Sequence, residues 1–250
     1  MEFESDPDAG WVAELAGAPR SEVDRALRAA AGRRELYASI DRAHRRAGRP
    51  GYVEIDAPFE LYAITRLIRP SRVVEVGVSS GVSSAYLLQG LHDNRRGMLY
   101  SVDRPSHPRP GAKQTNQASW SLPPGLDSGW AIPPALKDRW DLRLGDKAVR
   151  IPELVEELAG IDLFVYDVPH DDRDAFREFG ELDRRFTPGS VAIADHGPGG
   201  GRCPSLQRWA RRRGTVAVGR SGLGLYGFRA AQPERAEAVR PVRRALRPQS

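Results

Sequence analysis

The sequence predicts an α/β fold: a doubly wound, mostly parallel sheet of seven strands with helices on both faces. Three observations predict it. From Arg72 onward, short β-branched runs alternate with amphipathic stretches of helical length, the pattern of parallel strands joined by helical crossovers. Ile161–Tyr166 is apolar with one acidic break, as expected of a strand covered on both sides. Only a turn at Ser221-Gly222 separates the last two strand-like runs, Thr215–Val218 and Gly224–Phe228, so these form an antiparallel hairpin at one edge.

The elements follow in order. Trp11 to Arg46 is rich in alanine, leucine, arginine and glutamate and is broken at Gly17–Pro19. It reads as two helices, Gly10 to Ala16 and Ser21 to His44, with Ser21 and Asp24 resembling a capping box. Asp56 is placed to cap a third helix, Pro58 to Ile68, which a second proline at 70 closes. Arg72–Val78 is the first strand, and Ser79–Leu88 after it reads as a tight turn followed by a helix. Strands then fall at Met98–Val102, Asp141–Leu144, Ile161–Tyr166 and Ser190–Ala194. Helices fall at Ile151–Leu158, Asp172–Phe186 and Pro204–Arg213. The organisation is a helical extension over 1–56, a main domain over 57–229 and a basic tail over 230–250.

Composition narrows the function. AVILMFWYC residues make up 40% of the 250 residues, enough for a real core, and no apolar run approaches the ~20 residues of a membrane span. The acidic start MEFESDPDAG lacks the basic-then-apolar layout of a secretory signal, so a cytoplasmic protein is expected. Cys203 is the single cysteine, which excludes a disulfide within the chain and any multi-cysteine zinc site. The net charge is +5, and residues 229–250 hold six arginines against two glutamates, so most of the excess sits in the tail. A basic stripe confined to such a tail reads as solvated, and nucleic acid is not expected as a partner.

One segment breaks the repeat. Residues 104–140 separate the second and third strands and hold seven prolines and three tryptophans, Trp120, Trp130 and Trp140. Segments this long in a compact domain are usually functional or disordered, and disordered segments are poor in aromatics. The expectation is a lid or substrate wall lined by Trp120 and Trp130; packing of those rings on the domain surface or at a dimer contact is the alternative.

The chemistry is expected at the carboxyl ends of the strands, where open parallel sheets bind ligands. Those ends carry Glu75, Asp103, Asp146, Asp167 and Asp195-His196. The first turn, Gly77-Val-Ser-Ser-Gly81, lacks the middle glycine of a dinucleotide fingerprint and the Gly-Lys-Ser/Thr of a P-loop. It offers a carboxylate at Glu75, close backbone approach at two glycines and hydroxyls at Ser79, Ser80 and Ser83. That set suits a ligand with an ammonium and a ribose better than one with a phosphate chain. Asp103 is an acceptor-only group placed for two ribose hydroxyls.

These residues resemble a known family. Val73-Val-Glu-Val-Gly-Val-Ser-Ser-Gly-Val-Ser83 is similar to the E-x-G-x-x-x-G-x-S motif of class I S-adenosylmethionine-dependent methyltransferases, especially the metal-dependent small-molecule O-methyltransferases of the catechol type and related bacterial natural-product enzymes. Leu99–Asp103, Leu142–Leu154, Ile161–His170 and Phe186–His196 resemble the later motifs in order and spacing. The resemblance implies a Rossmann-like sheet and S-adenosylmethionine as cofactor. It implies that Glu75, Gly77, Ser79, Gly81 and Ser83 surround the methionine part, that Asp103 binds ribose, and that Gly145, Asp146 and Lys147 lie along the adenine. Asp167, Asp195 and His196 match the positions that hold a divalent metal, Mg²⁺ or a transition ion, and Asp167 also borders the cofactor. His170 stands three residues after Asp167, where those enzymes carry a catalytic lysine, and an imidazole there is a plausible general base.

The implied activity is metal-assisted transfer of a methyl group to a hydroxyl of a small molecule, in a protein expected to dimerise. The alternatives are a metal-independent N- or O-methyltransferase with His170 as base, a nucleic-acid methyltransferase using the arginine tail, and a noncatalytic cofactor-binding protein. His44, His92 and His107 read as surface residues, Cys203 as incidental and Trp209 as core.

Overall fold

The computed structural model describes residues 7–48, 58–105, 122–168, 172–195, 204–212, 218–219 and 225–230. Eight helices and seven strands fall within them: α1 (Ala9–Ala16), α2 (Arg20–Ala31), α3 (Arg34–Arg46), α4 (Pro58–Ile68), β1 (Arg72–Val76), α5 (Val82–Asn94), β2 (Met98–Asp103), β3 (Trp140–Leu144), α6 (Lys147–Glu157), β4 (Ile161–Tyr166), α7 (Asp172–Asp183), β5 (Phe186–Asp195), α8 (Pro204–Arg212), β6 (Val218–Gly219) and β7 (Leu225–Arg229). The strands form one sheet in the order β3-β2-β1-β4-β5-β7-β6. β1 to β5 pair in parallel, while β7 runs antiparallel to both β5 and β6. The predicted doubly wound sheet and its antiparallel edge are therefore present. Strand order reverses between β1 and β4, so the ligand crevice opens beyond Val76 and Tyr166.

Period-2 alternation along the strands sorts the core into two layers. Val73, Leu99, Leu163, Val165, Val191 and Ile193 point to one face and pack against α1 to α5. Val74, Val76, Val102, Phe164, Tyr166, Ala192 and Ala194 point to the other and pack against α6 to α8. Trp209 lies in that second layer at 3% exposure, as expected of a core residue. No helix among the described residues is long and apolar enough to cross a membrane.

Several boundaries differ from expectation. The N-terminal stretch forms three helices rather than two, because the chain turns at Gly32-Arg33. Glycine is a poor helix former, and Arg33 leaves the helix to pair with Asp93, which also accepts from Tyr62 Oη at 2.5 Å. Ser21 is not a cap. Helix α2 begins one residue earlier, after Pro19, and Asp24 pairs with Arg20 at 2.9 Å instead. Helix α6 starts at Lys147, four residues ahead of the expected Ile151, because Asp146 caps it by accepting from Ala148 N at 2.9 Å. Strand β5 starts at Phe186, within the stretch expected to be helical. His44 is 1% exposed and so is no surface residue; its ring lies 4.7 Å from that of Trp130. Asp56, Cys203 and His107 lie outside the described residues.

Candidate cofactor and acceptor site

The strand ends are stitched together by backbone bonds that extend the ladder past the sheet. Gly77 N donates to Val102 O at 2.9 Å, Asp167 N to Val76 O at 2.8 Å, and Gly145 N to Asp103 O at 2.9 Å. Gly77, Asp103, Gly145 and Asp167 thereby line one rim. Gly77 has φ +98°, and a Cβ on it would stand 1.8 Å from the carbonyl oxygen of Asp167. Only glycine allows the β1 and β4 ends to meet this closely at the switch point.

The turn after β1 is held from both sides. Ser79 adopts φ +47°, and Gly81, at φ +93°, is the N-cap residue just before α5. Ser79 O and Ser80 O accept from Gly129 N at 2.8 Å and Ala131 N at 2.9 Å. A Cβ on Gly81 would meet Ile132 at 2.6 Å. So the second half of the insertion packs against the turn: Ala131 and Ile132 enter the core and Trp130 rests on His44 of α3. Trp120 lies outside the described residues.

Glu75 is fully buried. Its carboxylate accepts from Ser83 Oγ at 2.7 Å, Ser84 Oγ at 2.6 Å and Ser101 Oγ at 2.7 Å. Ser101 in turn accepts from Trp140 Nε1 at 2.9 Å. Burial pushes the Glu75 carboxyl up to about 7, against the pull of the three hydroxyls and with a small further push from Asp103. Glu75 sits under the first turn of α5, where the helix dipole favours a negative charge. Here its bonds fix the glycine turn, and the hydroxyl of Ser83 is directed inward to it.

Asp103 closes β2, partly exposed, and its Oδ2 accepts from Ser128 Oγ of the insertion. Asp146 caps α6 and lies 3.4 Å from Arg104. The ammonium of Lys147 reaches the second core layer. It donates to Tyr166 Oη at 2.9 Å and to Glu178 Oε2 at 3.0 Å, and Tyr166 Oη donates to the same oxygen at 2.5 Å. This group ties the start of α6 to α7 and to the residue before Asp167.

Asp167 follows β4 directly and is half-buried. Asp195 is the last residue of β5, and the register Tyr166↔Ala194 puts the two aspartates at adjacent strand ends. The Asp195 side chain, His170 and His196 lie outside the described residues. Among the described residues no group of three His, Cys, Asp or Glu side chains is arranged to hold a metal ion; the expected trio extends beyond them.

Sequence reasoning missed Ser84, Ser101, Ser128, Tyr166 and Glu178. Ser101 carried a signal, since it lies directly across from Glu75 in the β1–β2 register. Ser128 carried none, because a contact spanning 25 residues through an irregular segment leaves no periodic trace.

Residues 74–196 match the family described as a methyltransferase domain. No curated protein sequence matches the chain. Among solved structures, a candidate O-methyltransferase from Klebsiella pneumoniae superposes with a TM-score of 0.52 at 18% identity, over 79% of this chain and 90% of that one. The O-methyltransferase TomG from Streptomyces achromogenes, involved in tomaymycin synthesis and solved with S-adenosylmethionine, superposes at 0.50 with 17% identity, over 80% and 90%. The family match begins at the third residue of β1 and ends one residue past β5, so it spans the glycine turn and every strand end of the rim. Residues 74–196 therefore match a methyltransferase domain, and the chain shares the fold of these solved O-methyltransferases.

Proposed function

We propose that the protein is an S-adenosylmethionine-dependent O-methyltransferase that moves a methyl group to a hydroxyl of a small molecule with the help of a divalent metal. The observation that carries this reading is the pair of aspartates at adjacent strand ends, Asp167 and Asp195, beside the glycine turn. The solved relatives named as O-methyltransferases support the oxygen acceptor.

The donor set fits a divalent ion. Two carboxylates suit a hard cation, and the imidazole of His196 extends the range towards transition ions. Such an ion, when bound, lowers the pKa of an acceptor hydroxyl and fixes its oxygen. The chain's own residues do the rest. Asp103 accepts the ribose hydroxyls, and Gly77 and Gly145 let the backbone approach the nucleoside. The turn held by Glu75 positions the methionine part, and alignment accounts for much of the rate because a sulfonium methyl is already activated. His170 takes the acceptor proton.

Transfer to a catechol or another hydroxylated acceptor is measured by release of S-adenosylhomocysteine. Asp167→Ala and Asp195→Ala are each expected to lower kcat/KM at least ~100-fold, and EDTA to abolish turnover reversibly. Full activity after rigorous chelation removes the metal and leaves His170 as the base of a metal-independent enzyme. Absence of heat on titration with S-adenosylhomocysteine removes the methyltransferase reading itself.

A further inference from the structure

The insertion between β2 and β3 touches both halves of the nucleoside crevice through one short run of residues. Gly129 and Ala131 bond to the turn after β1, at Ser79 O and Ser80 O. Ser128, immediately before them, donates its hydroxyl to Asp103 Oδ2 at the end of β2. Ser128 is 4% exposed, so water does not compete for that bond. The run is itself pinned: Gly129 has φ +73°, and a Cβ on it would stand 2.2 Å from the Trp140 ring. Trp140 bonds to Ser101, and Ser101 to Glu75. A single connected structure thus reaches from the carboxylate under the glycine turn to the carboxylate at the next strand end.

We infer that Ser128 is a positioning residue for the nucleoside: it holds the Asp103 carboxylate in one rotamer and leaves its other oxygen open to the ribose diol. The inference rests on the reading of Asp103 as the ribose acceptor. A carboxylate has about four lone-pair positions, so one bond to a serine does not exhaust it. A free Asp103 side chain would have to be ordered on each binding event, at a loss of affinity. With Ser128 in place that ordering is built into the fold, and the same run fixes the distance between the ribose-binding and methionine-binding halves.

The test is a double-mutant cycle on the full chain, read by calorimetric titration with S-adenosylhomocysteine and by the KM for S-adenosylmethionine. Ser128→Ala is expected to weaken binding about tenfold, the size of one hydrogen bond to a charged group, and to raise KM with kcat within about twofold. Asp103→Ala is expected to weaken binding at least as much. In the Asp103→Ala background Ser128→Ala is expected to add nothing, because its only route to the ligand is gone. Ser128→Thr, which keeps the hydroxyl, is expected to restore affinity, and all variants are expected to unfold cooperatively near the wild-type temperature.

The outcomes separate the two layers of the argument. If Ser128→Ala binds like wild type, or if the two losses simply add, Ser128 has no positioning role while the ribose reading of Asp103 stands. If Asp103→Ala binds like wild type, the ribose reading falls and the inference falls with it.

Discussion

Each face of the sheet buries a glutamate close to the cofactor rim, and the two are surrounded by different chemistry. On the α1–α5 face Glu75 is held by three serine hydroxyls, all neutral, in a layer built largely from alanine, leucine, isoleucine and valine. On the α6–α8 face Glu178 is held by the ammonium of Lys147 and the phenol of Tyr166, in a layer dominated by Phe164, Phe179, Phe186, Trp209 and Phe228. Those rings meet edge-on or stacked, with centroids such as those of Trp209 and Phe228 at 4.6 Å. The comparison teaches that the two halves of the crevice are fixed by different means. Neutral hydrogen bonds set the glycine turn from one face. An ion pair sets the loops after β3 and β4 from the other.

The strongest way to break the scheme is to strike where the faces meet. Gly77→Ala would drive a methyl group into the backbone carbonyl of Asp167 while forcing an L-residue to hold φ +98°. Backbone cannot yield as a side-chain tip can, so both strain and overpacking apply. The expected loss is ~3 kcal/mol or more of stability, together with loss of detectable S-adenosylhomocysteine binding. Denaturant unfolding and titration calorimetry check it. A Gly77→Ala protein that binds normally would show that β1 and β4 need not meet so closely.

A smaller effect sharpens the difference between the two glutamates. Lys147→Met leaves the Glu178 carboxylate, 4% exposed, bonded by the Tyr166 hydroxyl without its ammonium partner, and is expected to destabilise by about 3 kcal/mol. That is the low end for a broken buried pair, because the Lys147 side chain retains 26% exposure. Glu178→Leu is expected to cost less, since the ammonium it strands can reach water. The double variant, Lys147→Met with Glu178→Leu, is expected to regain most of the loss, because an apolar pair fits the aromatic layer without a desolvated charge. Urea unfolding of the three variants measures the coupling. Equal, additive losses would mean that the pair contributes no interaction of its own.

The same contrast explains what was legible in the sequence. The five parallel strands and the order of the rim residues followed from hydrophobic runs and from carboxylates at run ends, which are local patterns. Gly77 and Gly81 were legible as a turn because only glycine tolerates their φ values. The orientation of side chains around them was not. The hydroxyl of Ser83 turns inward to Glu75, and Ser101 from the next strand bonds the same carboxylate. The ion pair of Lys147 was not legible either, because its partner Glu178 lies 31 residues on. The break at Gly32-Arg33 was missed because an alanine-rich stretch outweighs one glycine until Asp93 offers Arg33 a partner. In each case a long-range polar contact overrode a local pattern.

The subtlest prediction concerns the pH response of the neutral-bonded face. The Glu75 carboxyl is raised from the ordinary value of 4.5 to about 7, chiefly by burial. A raised acid binds its proton more tightly in the folded state than in the unfolded one. Between pH ~4.5 and ~7 folding therefore takes up a proton at this site, and the site's contribution to stability falls as pH rises. Glu75→Gln removes the titration while keeping an acceptor for one serine and a donor that another serine oxygen can receive. Below about pH 4.5 the variant and the wild type both carry an uncharged group there, so the difference in their unfolding temperatures is set by shape and bonding alone. Across the window to pH 7 that difference is expected to shift steadily in favour of Glu75→Gln, and above it to level off. Thermal unfolding of both proteins in matched buffers from pH 4.5 to 8 measures it. A difference that stays constant over that range would mean that the three serines and the α5 dipole offset the desolvation of the carboxylate, and the neutral-bonded face would then hold its charge as securely as the lysine-paired one.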